Sequence, residues 1–254
     1  GYWCRSGSYL AAPENSGPMA VDESVGGPCP AGFYCPAGTP EPVPCVNQTY
    51  RAVTYGAQAA DCSPCPPGYL CADGTSTPVG CPPGWFCNAQ GRFPCPMSTY
   101  SASTAGSDAT TCLPCPAGSW CNAANISAFA AYPCPSGHYC GEGALAPTPC
   151  PAATYRDLEG GVSVSSCFGC PGGHFCTVGS SQVAACDAGT FCPANSSQPQ
   201  ACPAGRYCPP MAANALVCPA GFHCPVNSST PVYCGIGTYC PSGSVAPETC
   251  PLGT

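Results

Sequence analysis

The chain has 254 residues, of which 28 are Cys, 35 Pro and 31 Gly, while charged residues make up only 7%. Cysteine above about 10% in a chain this poor in large aliphatics excludes an ordinary hydrophobic core and means that covalent staples take its place. Five isolated arginines, no lysine and a net charge of −7 argue against a nucleic-acid partner, and the scattered acids offer no calcium loop.

The chain opens on Gly-Tyr-Trp-Cys, the back half of a motif that recurs throughout, so the sequence reads as an excerpt. Residues 5–28, RSGSYLAAPENSGPMAVDESVGGP, are a Cys-free insertion and the expected flexible segment. From Cys29 onward come ten complete copies of Cys-x-x-Gly-x-x-Cys, starting at 29, 65, 81, 115, 134, 170, 186, 202, 218 and 234. Pro follows the first Cys in eight of the ten, and an aromatic precedes the second in eight, Leu70 and His223 being the exceptions. Pro sets φ for a turn and Gly admits a conformation or an approach that a Cβ would block. Each copy therefore reads as a tight turn whose aromatic covers the sulfurs. Nine residues usually separate the copies, but seven follow Cys87 and twelve follow Cys121, as befits a surface loop.

A longer element interrupts this repeat at Cys45, Cys95 and Cys150, with 16 residues before the next Cys and then a Cys-x-x-Cys. These elements share Thr-Tyr (Thr49-Tyr50, Thr99-Tyr100, Thr154-Tyr155) and a Gly six before the second Cys (Gly56, Gly106, Gly161). The chain thus divides into 1–44, a truncated repeat with the insertion and one motif; super-modules 45–94 and 95–149; an extended super-module 150–249 with five 16-residue units; and 250–254, which starts another. No window keeps a helical period, and Pro and Gly break most candidates, leaving 52–55 and 162–166 as possible short strands. The predicted fold class is small disulfide-rich repeats: an elongated rod with short β-hairpins and little regular secondary structure, each unit contacting its neighbours.

Metal, redox chemistry and staple compete for the cysteines. A structural zinc site combines two Cys-x-x-Cys pairs, but Cys62/Cys65, Cys112/Cys115 and Cys167/Cys170 lie 50 and 55 residues apart. Thioredoxin-like chemistry needs a strand-to-helix context that Pro-rich and Gly-rich repeats do not provide. Disulfides are preferred, and neither metal nor cofactor is expected. Sequons at Asn47, Asn125, Asn195 and Asn227 fall in the inferred loops and fit an oxidising, secretory compartment with N-glycans.

Two connectivities remain open. One pairs Cys45 with Cys62, Cys95 with Cys112 and Cys150 with Cys167, and closes each short motif on itself, as Cys29 with Cys35, Cys65 with Cys71, Cys202 with Cys208 and Cys218 with Cys224. The other bridges the nine-residue loops and forces each Cys-x-x-Cys into a small ring. The first is preferred because it leaves only Cys4 and Cys250 unpaired.

The long element running into Cys-Pro-x-Gly-x-Tyr-Cys, with its Thr-Tyr pairs and downstream glycines, resembles the ephrin-receptor-like (GCC-type) cysteine-rich repeat and, more distantly, tumour necrosis factor receptor modules. The uninterrupted runs of short motifs are similar to repeat regions of algal and other protist extracellular proteins, including mastigonemes (flagellar hairs). The resemblance implies an extracellular or cell-surface structural protein that associates with itself or with other fibre or matrix chains. A receptor or adhesion stalk is the alternative.

An enzyme is not expected. His138, His174 and His223 all occupy the two variable places before a second Cys, so repeat position explains them and no triad is implied. Trp3, Trp85 and Trp120 are read as sulfur cover rather than as a sugar platform. Exposed Ser, Thr and Pro of the loops are candidate O-glycan acceptors. No apolar run reaches the length of a membrane span.

Overall fold

A computed structural model describes residues 1–4 and 26–251. Most of the predicted flexible insertion, and the last three residues of the 250–254 module, lie outside the described residues. Gly26–Pro28, at the end of the insertion, forms a strand antiparallel to Tyr2–Cys4.

The described residues hold thirteen two-stranded antiparallel hairpins, four single turns of 3₁₀-helix and no α-helix. In nine of the ten short motifs the two residues before the second Cys pair with the two before the next repeat's first Cys, as Phe33–Tyr34 with Val43–Pro44 or Arg206–Tyr207 with Leu216–Val217; in the motif at 115 a single bridge, Ser119 with Pro133, takes the place of the strand pair. The motif thus ends on the first arm of a hairpin, and the nine-residue gap supplies its loop and, in its last two residues, its second arm. In the long elements Thr-Tyr supplies the first arm, as Thr154–Tyr155 against Phe168–Gly169.

The possible strands at 52–55 and 162–166 are not strands. The first is irregular, and Val164–Ser166 is a single 3₁₀ turn. Their backbone groups bond singly rather than in a strand pair: Tyr55 N–H donates to Cys29 O, Thr54 O accepts from Arg51, and Val162 N–H donates to Ser166 Oγ.

Sulfur makes the core. Apart from Ile126 and Ala212, every buried apolar residue among those described is a cysteine. Thirteen disulfides join these sulfurs to one another and to the half-buried Cys62, Cys65, Cys112 and Cys167, with Cα–Cα distances from 5.6 Å (Cys95–Cys112) to 6.4 Å (Cys234–Cys240). None spans a nine-residue loop.

The chain falls into two compact units, one comprising residues 1–114 with 123–128 and the other 115–122 with 129–254. Within the second, three backbone hydrogen bonds recur from each repeat to the next. Between the repeats at 202 and 218, Gly205 N–H donates to Cys224 O (2.8 Å), Cys208 N–H to Ser228 O (2.8 Å), and Asn227 N–H back to Cys202 O (2.8 Å). The long element obeys the same rule, with Ala153, Arg156 and Gly179 as donors. In the first unit this ladder thins at the seven-residue loop after Cys87. Among the described residues only Gly68 N–H to Cys87 O links the repeats at 65 and 81 in this way. The shortened loop compensates with longer strands, Trp85–Asn88 and Gly91–Pro94, and with Phe86 stacked on Phe93 at 5.5 Å.

The ladder explains the invariant glycine. Gly205 has φ 76°, and a Cβ there would lie 2.5 Å from the carbonyl oxygen of Gly243, two repeats along. Contacts therefore reach second neighbours as well as first. At the corresponding place the long elements carry Gln48, Ser98 and Ala153, also at positive φ (70°, 68° and 70°). The long element is the same turn with a larger insertion.

Candidate functional site

The chemistry-bearing residues divide into bridges, loop asparagines, two arginines and one histidine beside sulfur. The structure pairs Cys45–Cys62, Cys95–Cys112 and Cys150–Cys167 across the long elements. It closes every short motif on itself, including Cys29–Cys35, Cys65–Cys71, Cys202–Cys208 and Cys218–Cys224. Cys4, half-buried, and Cys250, exposed, carry free thiols.

In the repeat at 186 the aromatic before the second Cys reaches the next repeat. Phe191 packs on Cys202 and Cys208 of the next repeat, together with Ala212 and Ala215. Alternation along the two-residue strand puts this side chain on the face toward the following repeat. Arg92 lies 4.4 Å above the ring of Trp85, and Trp120 meets Tyr132 edge-on at 6.5 Å.

The four sequon asparagines are exposed. Asn125, Asn195 and Asn227 have φ of 60°, 63° and 62°, and each donates its N–H to the first Cys of the preceding repeat. Gly179 and Gly243 stand at this place elsewhere with φ of 74° and 85°. Asn is among the few non-glycine residues that accept the left-handed conformation, so the ladder gives these residues a backbone role independent of any glycan. Asn47 differs: its N–H donates to Asp73 Oδ1 at 2.6 Å.

Arg51 and Arg156 fold the long loops inward. Arg51 donates to Asp61 O (2.8 Å) and Thr54 O (3.1 Å), and Arg156 to Ser166 O (2.8 Å) and Glu159 O (3.0 Å). Their Nε atoms are buried against Gly56 and Gly161, which leave room for the guanidinium. This pair was not singled out in the sequence; a shared place immediately after Thr-Tyr was the available signal. The middle element has buried Ser101 there. Its turn is held instead by Asp108, which accepts from Thr110 N–H at 2.8 Å.

The three histidines are not brought together. His138 Nδ1 lies against Ser136 O (3.1 Å) and His174 Nδ1 against Gly172 O (3.4 Å). His223 stands in the aromatic's place, and its Nδ1 is 3.7 Å from Cys234 Sγ. His223, Cys234 and Cys240 form the one group of potential metal ligands among the described residues, their ligand atoms within 4.8 Å of one another. Both sulfurs are committed to the Cys234–Cys240 bridge, so the oxidised protein presents no thiolate to a metal there. A cleft of about 370 Å³ beside Gly1, Tyr2, Cys4 and Cys35 contains neither histidine nor carboxylate.

No family model and no curated protein matches the chain. The structure itself is that of a cysteine-rich repeat protein: short hairpins, each stapled by disulfides. Among the described residues no helix is long and apolar enough to cross a membrane. These features fit an extracellular structural protein, since disulfides persist in oxidising compartments.

Proposed function

We propose that the chain is a structural segment of a long, glycosylated, disulfide-stapled extracellular fibrous protein, such as a filament, flagellar hair or surface coat, and that it has no catalytic role. The observation that carries this reading is the three-bond backbone ladder repeated from 115 to 234. Backbone donors and acceptors attach each repeat to the next whatever its exposed side chains, so repeats add in line and the sequence of the loops can vary. Bridges within each repeat limit its extension under load, while glycans at Asn47, Asn125, Asn195 and Asn227 would shield a backbone with little secondary structure. Lateral association with other copies or matrix chains is part of the proposal. The resemblance to ephrin-receptor-like and mastigoneme repeats is compatible with it.

Non-reducing peptide mass spectrometry and electron microscopy of native material test this together. Glycopeptides at the sequons and fibres containing the chain are the expected result. A monomeric globule with unmodified asparagines would overturn it, and a full-length protein with one membrane helix and a cytoplasmic signalling domain would favour a receptor stalk.

A further inference from the structure

We infer that the Cys234–Cys240 bridge is a thiol-exchange site, at which an incoming low-molecular-weight thiol bonds to Cys240 Sγ and Cys234 Sγ leaves onto the imidazole of His223. The inference starts from register. In the repeat at 186 the residue before the second Cys, Phe191, packs its apolar ring against the following repeat's cluster of Cys202, Cys208 and Ala212. In the repeat at 218 the same place holds His223, whose Nδ1 reaches Cys234 Sγ at 3.7 Å. His138 and His174 sit one residue earlier, with their Nδ1 atoms against backbone carbonyls. Among the described residues no other bridge sulfur has an imidazole nitrogen within hydrogen-bonding reach.

A disulfide opens when a thiolate attacks one sulfur in line and expels the other, and the sulfur that is better stabilised as thiolate leaves faster. An aromatic ring stabilises no thiolate, whereas an imidazole N–H donates to one, as in histidine-paired reactive cysteines. The nearby nitrogen therefore makes Cys234 the leaving group and directs attack to Cys240. The step balances without net oxidation: the incoming R–SH gives up its proton, the Cys240–S–S–R bond forms as Cys234–Cys240 breaks, and Cys234 leaves as the thiolate, taking a proton to become the thiol. A second equivalent of R–SH then releases R–S–S–R and the Cys240 thiol. The repeat stays in register through this change, because Cys234 N–H to Gly221 O (3.0 Å) and Gly221 N–H to Cys240 O (2.8 Å) use no sulfur.

The test uses the oxidised protein with Cys4 and Cys250 first blocked by alkylation. Reduced glutathione is then added in limiting amount, the reaction is quenched with acid, and new thiols are tagged and mapped by peptide mass spectrometry. The first adduct should be glutathione on Cys240 with the tag on Cys234, ahead of the other twelve bridges. His223→Phe restores the ring that other repeats carry, so it keeps the fold and should slow opening of this bridge by ~10-fold. Uniform opening of all bridges, the reverse adduct with glutathione on Cys234, or an unchanged rate in His223→Phe would each overturn the proposal.

Discussion

Arg156 Nη1 donates a 2.8 Å hydrogen bond to the carbonyl oxygen of Ser166, ten residues further along, and so closes from within the loop that Cys150–Cys167 closes at its ends. Arg51 repeats the contact with Asp61. A hydrogen bond from a charged group contributes about 1.5–3 kcal/mol where it is shielded, and less at partly exposed sites such as these. Arg156→Ala should therefore leave the bridge intact but loosen residues 157–166. Their amides should exchange with solvent on the order of tenfold faster, measured by hydrogen–deuterium exchange, while the repeats from 186 onward exchange as before.

Acid should open two of the three long loops and spare the third. The Asp61 carboxyl is held below its ordinary value chiefly by the N–H of Ala57, then by that of Gln58, with a smaller contribution from the charge of Arg51. Asp108 is lowered in the same direction by the hydroxyl and then the N–H of Thr110. Because the folded-state value is the lower one in both, their stabilisation is fully present above the unfolded carboxyl value and disappears as pH falls through the folded one. In the third element Ser166 Oγ accepts from Val162 N–H (3.1 Å) and Ser163 N–H (3.4 Å), and it does not titrate. Lowering the pH from 5 to about 2 should accelerate exchange, taken relative to the intrinsic amide rate at each pH, at 57–62 and 108–111 but not at 162–166. Equal acceleration in all three loops would contradict this.

Two glycines whose φ values differ by only 4° should respond differently to a methyl group. Gly205 (φ 76°) faces Gly243 O, 2.5 Å from an added Cβ, whereas Gly38 (φ 80°) has nothing within 4 Å. Gly38→Ala should cost about 1 kcal/mol, the conformational penalty alone. Gly205→Ala adds a backbone collision between repeats and should cost more than twice as much, read from chemical denaturation of the oxidised proteins.

The glycan and backbone roles of a loop asparagine are separable. Asn227→Gly keeps the left-handed turn and should leave stability unchanged while abolishing any glycan at that site. Asn227→Gln abolishes the glycan and also strains the turn, at about 1 kcal/mol. Intact mass and thermal melts of the two variants check this. Destabilisation of Asn227→Gly to the same extent as Asn227→Gln would show that the backbone conformation is not what the residue provides.

Removing Cys150 and Cys167 together by Ala substitution enlarges the unfolded ensemble by releasing a 17-residue separation. In the chain-entropy account this costs about 3 kcal/mol, and a short-motif bridge about 2 kcal/mol. Proteolysis in 151–166 should rise sharply in the double variant, and full reduction should abolish the hairpin signal in circular dichroism. Retention of protease resistance after full reduction would mean that the backbone ladder suffices without sulfur.

The spacing of Cys, Pro and Gly is a local signal, and it determined the repeat, the turn in each motif, the hairpin class and the scarcity of helix. Local also means limited. Gly205 marked a turn in the sequence, but the oxygen it must admit belongs to Gly243, and Asn227 looked like a glycan acceptor before its N–H was seen to reach Cys202 O. The roles of Arg51 and Arg156 are not legible in the sequence because their partners are carbonyls, which no side-chain pattern reveals. Sequence alone fixed which residues build each repeat. Only the tertiary structure decided which face of a repeat meets the next, because the ladder joins backbone groups 19 to 25 residues apart in the 16-residue repeats, and because a two-residue strand turns one side chain, Phe191 or His223, toward the neighbour's bridge.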